Sequence, residues 1–187
     1  GKLCAWLART YGVDVAMCDF QTNAGHTVVQ DDGVKHVFQQ IPVSAVNPDT
    51  KLLISPAATI DVDKLMSEIE IHEVQNRLTI HPLAGIITPE CVEFEKQTLK
   101  RISSTLKGCG AATGMKAMRS PTMKLAQDVP ELKPFLGDVF ASLRVYLRSG
   151  AQCLMETAQG FDLSHNHGHI YPYVTSRSRT MQEHFAA

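Results

Sequence analysis

At 187 residues, 44% of them hydrophobic and 20% charged, the chain has the length and apolar content for one domain, or a large piece of one, with a real core. A formal charge of -1 leaves no electrostatic footprint for nucleic acid. No apolar run approaches the roughly 18 residues of a membrane span, and the stretch 3–8 is too short for a signal peptide.

The five cysteines, Cys4, Cys18, Cys91, Cys109 and Cys153, are scattered, odd in number and never paired as CxxC. They read as reduced thiols of a cytoplasmic protein, not as a disulfide framework or zinc site.

In chain order, Gly1-Lys2 runs into Leu3, Trp6 and Leu7, a helical i, i+3, i+4 face. Residues 13–20 are strand-like and lead into a polar, glycine-bearing segment, QTNAGHT. Residues 34–41 read as a strand closed by Pro42, and 51–55 as a short buried strand stopped by Pro56. Asp61 can cap a helix with Val62, Leu65, Met66 and Ile69 on its apolar face. Leu78-Thr79-Ile80 is a strand stopped by Pro82.

The next helix has Thr88 at its N-cap, Pro89 in its first position, Glu90 and Glu93 in its first turn, and Lys100 and Arg101 in its last. A breaker-rich loop, 103–112, follows it. Residues 119–133 have the polar, proline-bearing composition of a mobile excursion. Residues 138–148 read as a helix stopped by Gly150, 152–156 as a strand and 157–178 as a long loop. Met181–Phe185 reads as a helix just beginning. Both ends therefore read as cut, within a single partial domain over 1–187. Strands alternating with helices predict an α/β fold with a mainly parallel sheet flanked by helices, binding its ligand beyond the carboxyl ends of strands.

Asn23-Ala24-Gly25-His26-Thr27 is a compact polar cluster after a strand. One reading is a phosphate or metal site, with Gly25 admitting close backbone approach and His26 as acid or hydrogen-bond donor. The other is a glycine turn with a structural histidine.

The cluster resembles the NAGHT segment of adenylosuccinate synthetases, and three further segments follow in the same order. VKHVFQQIPVSAV resembles the family's strand ending in an aliphatic residue and proline. ISSTLKGCGAATGMKAMR matches, without a gap, the segment carrying a phosphate-binding threonine. ETAQGFDLSHNHGHIYPYVTS is similar to the EGAQG…YPYVTS segment. Gly1-Lys2 fits the last two residues of the glycine-rich loop GDEGKGK. The resemblance spans essentially the whole chain and implies the P-loop-like fold of that family.

The resemblance also implies roles. Asn23 would contact the purine nucleotide, and Gln159 would read its base near the reacting 6-position. Thr105 and Thr175 would hold its 5′-phosphate, and Arg119 would reach the same phosphate across a homodimer interface. Gly1, Lys2, Gly25, His26 and Thr27 would lie at the triphosphate, ATP or GTP. Gly25 would offer its carbonyl to Mg²⁺, and His26 would act on the transferred phosphoryl group as an acid. The implied reaction joins L-aspartate to a purine monophosphate, dGMP or IMP. His26, Thr105, Gln159 and Thr175 must then converge around one mononucleotide. The alternatives are a nucleotide-binding relic or regulatory module without chemistry and, more remotely, an unrelated P-loop phosphotransferase.

The chain departs from the family pattern GTTGRGIGPAY. A glycine has become Leu106, and the proline and tyrosine are missing. Ser104-Thr105, Ala111-Ala112, Gln159-Gly160-Phe161, Leu163-Ser164 and Ser176-Arg177 instead look like the viral branch that makes 2-aminoadenine nucleotides from dGMP. The family's aspartate-binding arginine loop and its reader of the triphosphate base find no match, so the 187-residue chain alone is expected to be inactive.

Three local features read as structural. His165, His167 and His169 alternate in the manner of metal ligands on a strand, but no supporting Cys or carboxylate cluster accompanies them, so a solvated or substrate-lining loop is expected. Tyr171 and Tyr173 read as packing residues that set their loop, although one could stack on a base. Met115, Met118 and Met123 read as core filler.

Overall fold

The structure, a computed structural model, describes residues 1–185. Helix α1 (Lys2–Tyr11) ends on Gly12 in the left-handed conformation, φ 66°, which a glycine adopts without a Cβ clash. Strand β1 (Val15–Cys18) is buried throughout. Strands β2 (His26–Val29) and β3 (Lys35–Phe38) form an antiparallel hairpin with His26 opposite Phe38, so the NAGHT segment runs into a strand. Next come β4 (Lys51–Ile54), β5 (Thr59–Ile60) and α2 (Val62–Ile71). Asp61 caps α2 as expected, its carboxylate accepting Lys64 N at 3.4 Å. Strands β6 (Leu78–Ile80) and β7 (Gly85–Ile86) precede α3 (Pro89–Thr98) and α4 (Cys109–Ala117). Helix α5 (Val139–Arg148), capped by Asp138 on Ala141 N at 2.8 Å, leads to β8 (Cys153–Glu156) and finally to α6 (Met181–Phe185).

Strands β6, β4, β1 and β8 lie side by side in that order, all parallel, which bears out the expected mainly parallel sheet. The alternation of side chains along β4 builds two cores. Leu52 and Ile54 face a large cluster with Phe38, Ile41, Leu65 and Ile80. Leu53 faces the other way and packs with Val15, Met17 and Val139 beneath α5. Burial on both faces explains why these strands read as continuous apolar runs. No described helix is long and apolar enough to cross a membrane.

Four local expectations are corrected. Helix α3 stops at Thr98; Lys100 and Arg101 lie in a 3-10 turn that ends on Ser103 at φ 55°, a left-handed residue that cannot continue a helix. The supposed loop 103–112 already contains the first turn of α4. Residues 119–133 are no excursion: Ala126 and Leu132 are fully buried, and Ala126 N donates to Ala84 O at 2.9 Å. Met118 is 72% exposed and is not core filler.

Candidate nucleotide site

Three buried glutamates from different elements shape the loops of the site. Each spends its carboxylate on main-chain N–H groups, the arrangement that makes a buried charge tolerable. Glu95 of α3 accepts Gly108 N at 2.9 Å, Gly110 N at 2.7 Å and Ala111 N at 3.1 Å, and so caps the N-terminus of α4 from outside. This lets Gly108, at φ 79°, turn the chain where a Cβ would lie 2.7 Å from Ile87 Cγ2. Glu68 of α2 accepts Gln39 N, Gln40 N and Ile41 N at 2.9, 3.2 and 3.2 Å. Glu156, the last residue of β8, accepts Val43 N at 2.7 Å and Ser44 N at 2.8 Å, with the Ser44 hydroxyl as a further donor. The segment 39–44 is thus held from both sides.

Burial pushes the Glu68 and Glu156 carboxyls above their ordinary value of 4.5, opposed by those hydrogen bonds. A carboxyl raised in the folded state favours folding most below its unfolded pKa, and the advantage is lost as pH rises through the folded value. The melting temperature of the native chain relative to a Glu68→Gln/Glu156→Gln variant should therefore be highest near pH 4.5 and decline toward pH 7. A difference that stays constant across that interval would refute this.

Beyond the carboxyl ends of β1 and β8 opens a cavity of about 710 Å³, within the range of small-molecule sites. Asn23, Thr105, Gln159 and Thr175 all line it, although they come from four separate stretches of chain. Gln159 is the hub. Its Nε2 donates to Asn23 Oδ1 at 3.0 Å, and its Oε1 accepts Thr175 Oγ1 at 3.2 Å. It holds this place in a left-handed backbone, φ 68°, uncommon for a residue with a Cβ and a frequent mark of functional sites. Tyr171 and Tyr173 also line the cavity and are 81% and 57% exposed, so they are rim residues and not the packing residues expected.

His26 does not line that cavity. Its ring packs on Phe20 with centroids 4.8 Å apart and lies against Gly1, where a Cβ would come within 2.8 Å of Nδ1. His26 Nε2 is buried with no hydrogen-bond partner among the described residues. Burial lowers its pKa from 6.5, which favours the neutral ring at pH 7. Gly1 is the N-cap of α1 and Lys2 its first residue, which places Gly1, Lys2 and His26 at one helix N-terminus, a setting suited to phosphate. Thr27 is exposed on β2, and the space beside Gly25 is open, since a Cβ there would meet only Gln39 Nε2 at 3.9 Å. Arg119 is exposed just past α4, at φ 56°, away from the cavity lining.

Sequence reasoning missed a second cavity of about 480 Å³ that shares Gly110, His165 and Ser176 with the first. Asp19, buried directly after β1, meets Arg179 Nη1 at 2.6 Å and Arg177 Nη1 at 3.5 Å. Arg177 also donates to the carbonyls of Asp19 and Ala57, and burial lowers its pKa to about 10. The one available signal was two arginines directly behind the YPYVTS segment. His167 stacks on Phe161 at 4.9 Å and His169 lies 3.7 Å from Asp162. Among the described residues no group of three His, Cys, Asp or Glu side chains could hold a metal ion.

A parallel α/β sheet with a cavity of this size at its carboxyl edge is the arrangement in which such folds place a small-molecule ligand. The family follows from comparison: the adenylosuccinate synthetase model matches residues 1–129. The chain is 36% identical over 184 residues to the adenylosuccinate synthetase of Archaeoglobus fulgidus, covering 96% of this chain and 53% of that protein. It is 38% identical over 194 residues to that of Methanococcus vannielii, covering 100% and 56%. The chain belongs to the adenylosuccinate synthetase family and spans about half the length of these curated relatives. Among solved structures, the succinoaminodeoxyadenylate synthetase of cyanophage S-2L, bound to dGMP and dATP as an energy donor, superposes with a TM-score of 0.84 at 28% identity, covering 98% of this chain and 54% of that one. A fully ligated adenylosuccinate synthetase from Plasmodium falciparum has the same fold, with a TM-score of 0.84 at 21% identity over 98% of this chain and 54% of that one.

Proposed function

We propose that the protein containing this chain is a ligase of purine nucleotide biosynthesis that joins L-aspartate to the 6-position of a purine monophosphate at the expense of a nucleoside triphosphate, ATP or GTP. The carrying observation is that Asn23, Thr105, Gln159 and Thr175 line one cavity.

The chemistry follows from the substrate. An oxo group on a purine is a poor leaving group. As the purine N1 proton is lost to a base, transfer of the γ-phosphoryl group to the 6-oxygen releases the nucleoside diphosphate and gives a 6-phosphoryl intermediate. The aspartate amine then attacks C6, loses a proton and expels the oxygen as inorganic phosphate. Such transfer depends on positioning and charge neutralisation. Thr105 and Thr175 anchor the 5′-phosphate with their hydroxyls, while Gln159 and Asn23 face the base. His26, beside Gly1 and Lys2 at the α1 N-terminus, donates a hydrogen bond or proton to the phosphoryl group in flight.

Mg²⁺ takes oxygen ligands and is usually bound by few protein groups plus phosphates, so the exposed Gly25, with open space beside its Cα, would fit it by its carbonyl without a carboxylate cluster. When bound it neutralises the triphosphate.

The favoured monophosphate is dGMP, giving 2-amino-2′-deoxyadenylosuccinate. Ser104-Thr105, Ala111-Ala112 and Ser176-Arg177 support it, as does the dGMP held by the cyanophage relative. IMP is the second reading, supported by the higher identity to archaeal adenylosuccinate synthetases. The exposed Arg119 would complete the phosphate site of a second subunit in a homodimer, and the enzyme would work in the cytoplasm. Retention of Asn23, His26, Gln159 and Thr175 weighs against a relic without chemistry.

The full-length protein, given aspartate, Mg²⁺, ATP or GTP and either dGMP or IMP, is expected to form a product whose absorbance departs from that of the monophosphate, faster with dGMP. No turnover with either purine would sink the proposal.

A further inference from the structure

The amide of Gln159 has two ends, and which of them meets a purine decides which purine is welcome. Gln159 Oε1 accepts from Thr175 Oγ1 at 3.2 Å and from Arg179 Nη2 at 3.1 Å. The threonine hydroxyl could serve either as donor or acceptor, but a guanidinium can only donate. Arg179 therefore fixes the oxygen end of the amide toward itself. The nitrogen end must then point away, and it donates to Asn23 Oδ1 at 3.0 Å. That in turn fixes the Asn23 amide, whose Nδ2 makes no hydrogen bond among the described residues. Both residues line the cavity, so the polarity set by Arg179 leaves N–H donors from Gln159 and Asn23 to face a ligand there.

Arg179 is itself held. It is 4% exposed, and its Nη1 lies 2.6 Å from Asp19 Oδ2 directly beyond β1, while its main-chain N donates to Ser164 Oγ at 2.8 Å. A planar fork bound at one tip to a buried carboxylate and at the other to an amide oxygen cannot rotate without losing both bonds.

We infer that Asp19 and Arg179 are positioning residues that orient the Gln159 and Asn23 amides so that the site selects a 6-oxopurine over a 6-aminopurine. The inference rests on the nucleotide-site reading above and adds to it the source of its base discrimination. A 6-oxopurine presents acceptors at O6 and N7, which meet the N–H groups. A 6-aminopurine presents a donor at N6, which meets them donor to donor. The same polarity disfavours a finished 6-amino product and so aids its release.

The test uses the full-length protein and two ligand pairs that differ at the 6-position: dGMP against 2-amino-2′-deoxyadenosine monophosphate, and IMP against AMP. Their phosphate contacts are common, so the ratio of dissociation constants within a pair cancels any general loosening of the site. The native protein should prefer the 6-oxo member by about tenfold or more, the range of a well-made polar base contact. Asp19→Asn/Arg179→Gln removes the closest charge pair together, while Arg177, which loses its carboxylate partner at 3.5 Å, keeps its bonds to the carbonyls of Asp19 and Ala57. It should bring the ratio close to one while the protein still melts cooperatively. A folded variant that keeps the native ratio overturns the inference and leaves the nucleotide-site reading intact. Native protein that binds none of the four overturns both. Should the double variant fail to fold, Arg179→Lys decides: it keeps the charge opposite Asp19 but not the two-tipped fork, and its ratio should fall, an unchanged ratio again being fatal.

Discussion

Replacing His26 with glutamine in the full-length protein is expected to lower kcat by about 10² to 10⁴, the usual contribution of a placed proton donor, while KM for the purine monophosphate changes little. The structure separates the two effects. His26 lies outside the cavity lined by Asn23, Thr105, Gln159 and Thr175, so its loss would leave the proposed monophosphate contacts in place. Its buried Nε2 has no partner among the described residues, which leaves that nitrogen for a ligand group. An interaction made only with the phosphoryl group in transit appears in kcat, not in ground-state binding. Steady-state kinetics with the monophosphate varied at saturating triphosphate and aspartate would decide the matter. A variant with native kcat and a raised KM would reassign His26 to binding.

Replacing Glu95 with alanine is expected to destabilise the protein by about 3 kcal/mol or more, since it strands three backbone donors whose acceptor was a buried charge. For a chain of this size that corresponds to a fall in Tm of about 10 °C. Glu95→Gln keeps one acceptor oxygen and should lose less. The consequence extends to the site, because Glu95 and Thr105 line the same cavity and Glu95 holds the turn at Gly108 that returns the Thr105 loop to α4. Weaker binding of the monophosphate by Glu95→Ala, measured by calorimetry well below its melting point, should accompany the lower Tm. Native Tm and affinity together would show that the carboxylate is dispensable.

The strands of the sheet and the caps of α2 and α5 were legible because their causes are local: apolar runs closed by proline, and an aspartate one residue before an amphipathic stretch. Helix α4 was not. Gly108, Gly110 and Gly114 give its sequence the look of a loop, and what starts the helix is Glu95, more than ten residues upstream. The same holds for Glu68 and Glu156, whose partners are main-chain N–H groups that no side-chain pattern announces. At the site, Asn23, Thr105, Gln159 and Thr175 were found through a family resemblance, and the structure brings all four to one cavity. His26, expected to converge with them, does not line that cavity and lies beside Gly1 and Phe20. Asp19 and Arg179 stayed hidden because each gains its meaning from the other, across 160 residues.

The pairing of β1 with β8 sets Val15 beside Cys153 and Cys18 beside Glu156, two strands separated by most of the chain. Contacts so distant in sequence carry the largest loop-closure entropy and tend to form late. The Asn23–Gln159 and Asp19–Arg179 bonds cross that same seam. The cavity that Asn23 and Gln159 line is accordingly expected to take shape only as that seam closes. A nucleotide bound there would act as a rivet on the last seam to close, slowing its opening more than that of the hairpin or of α2.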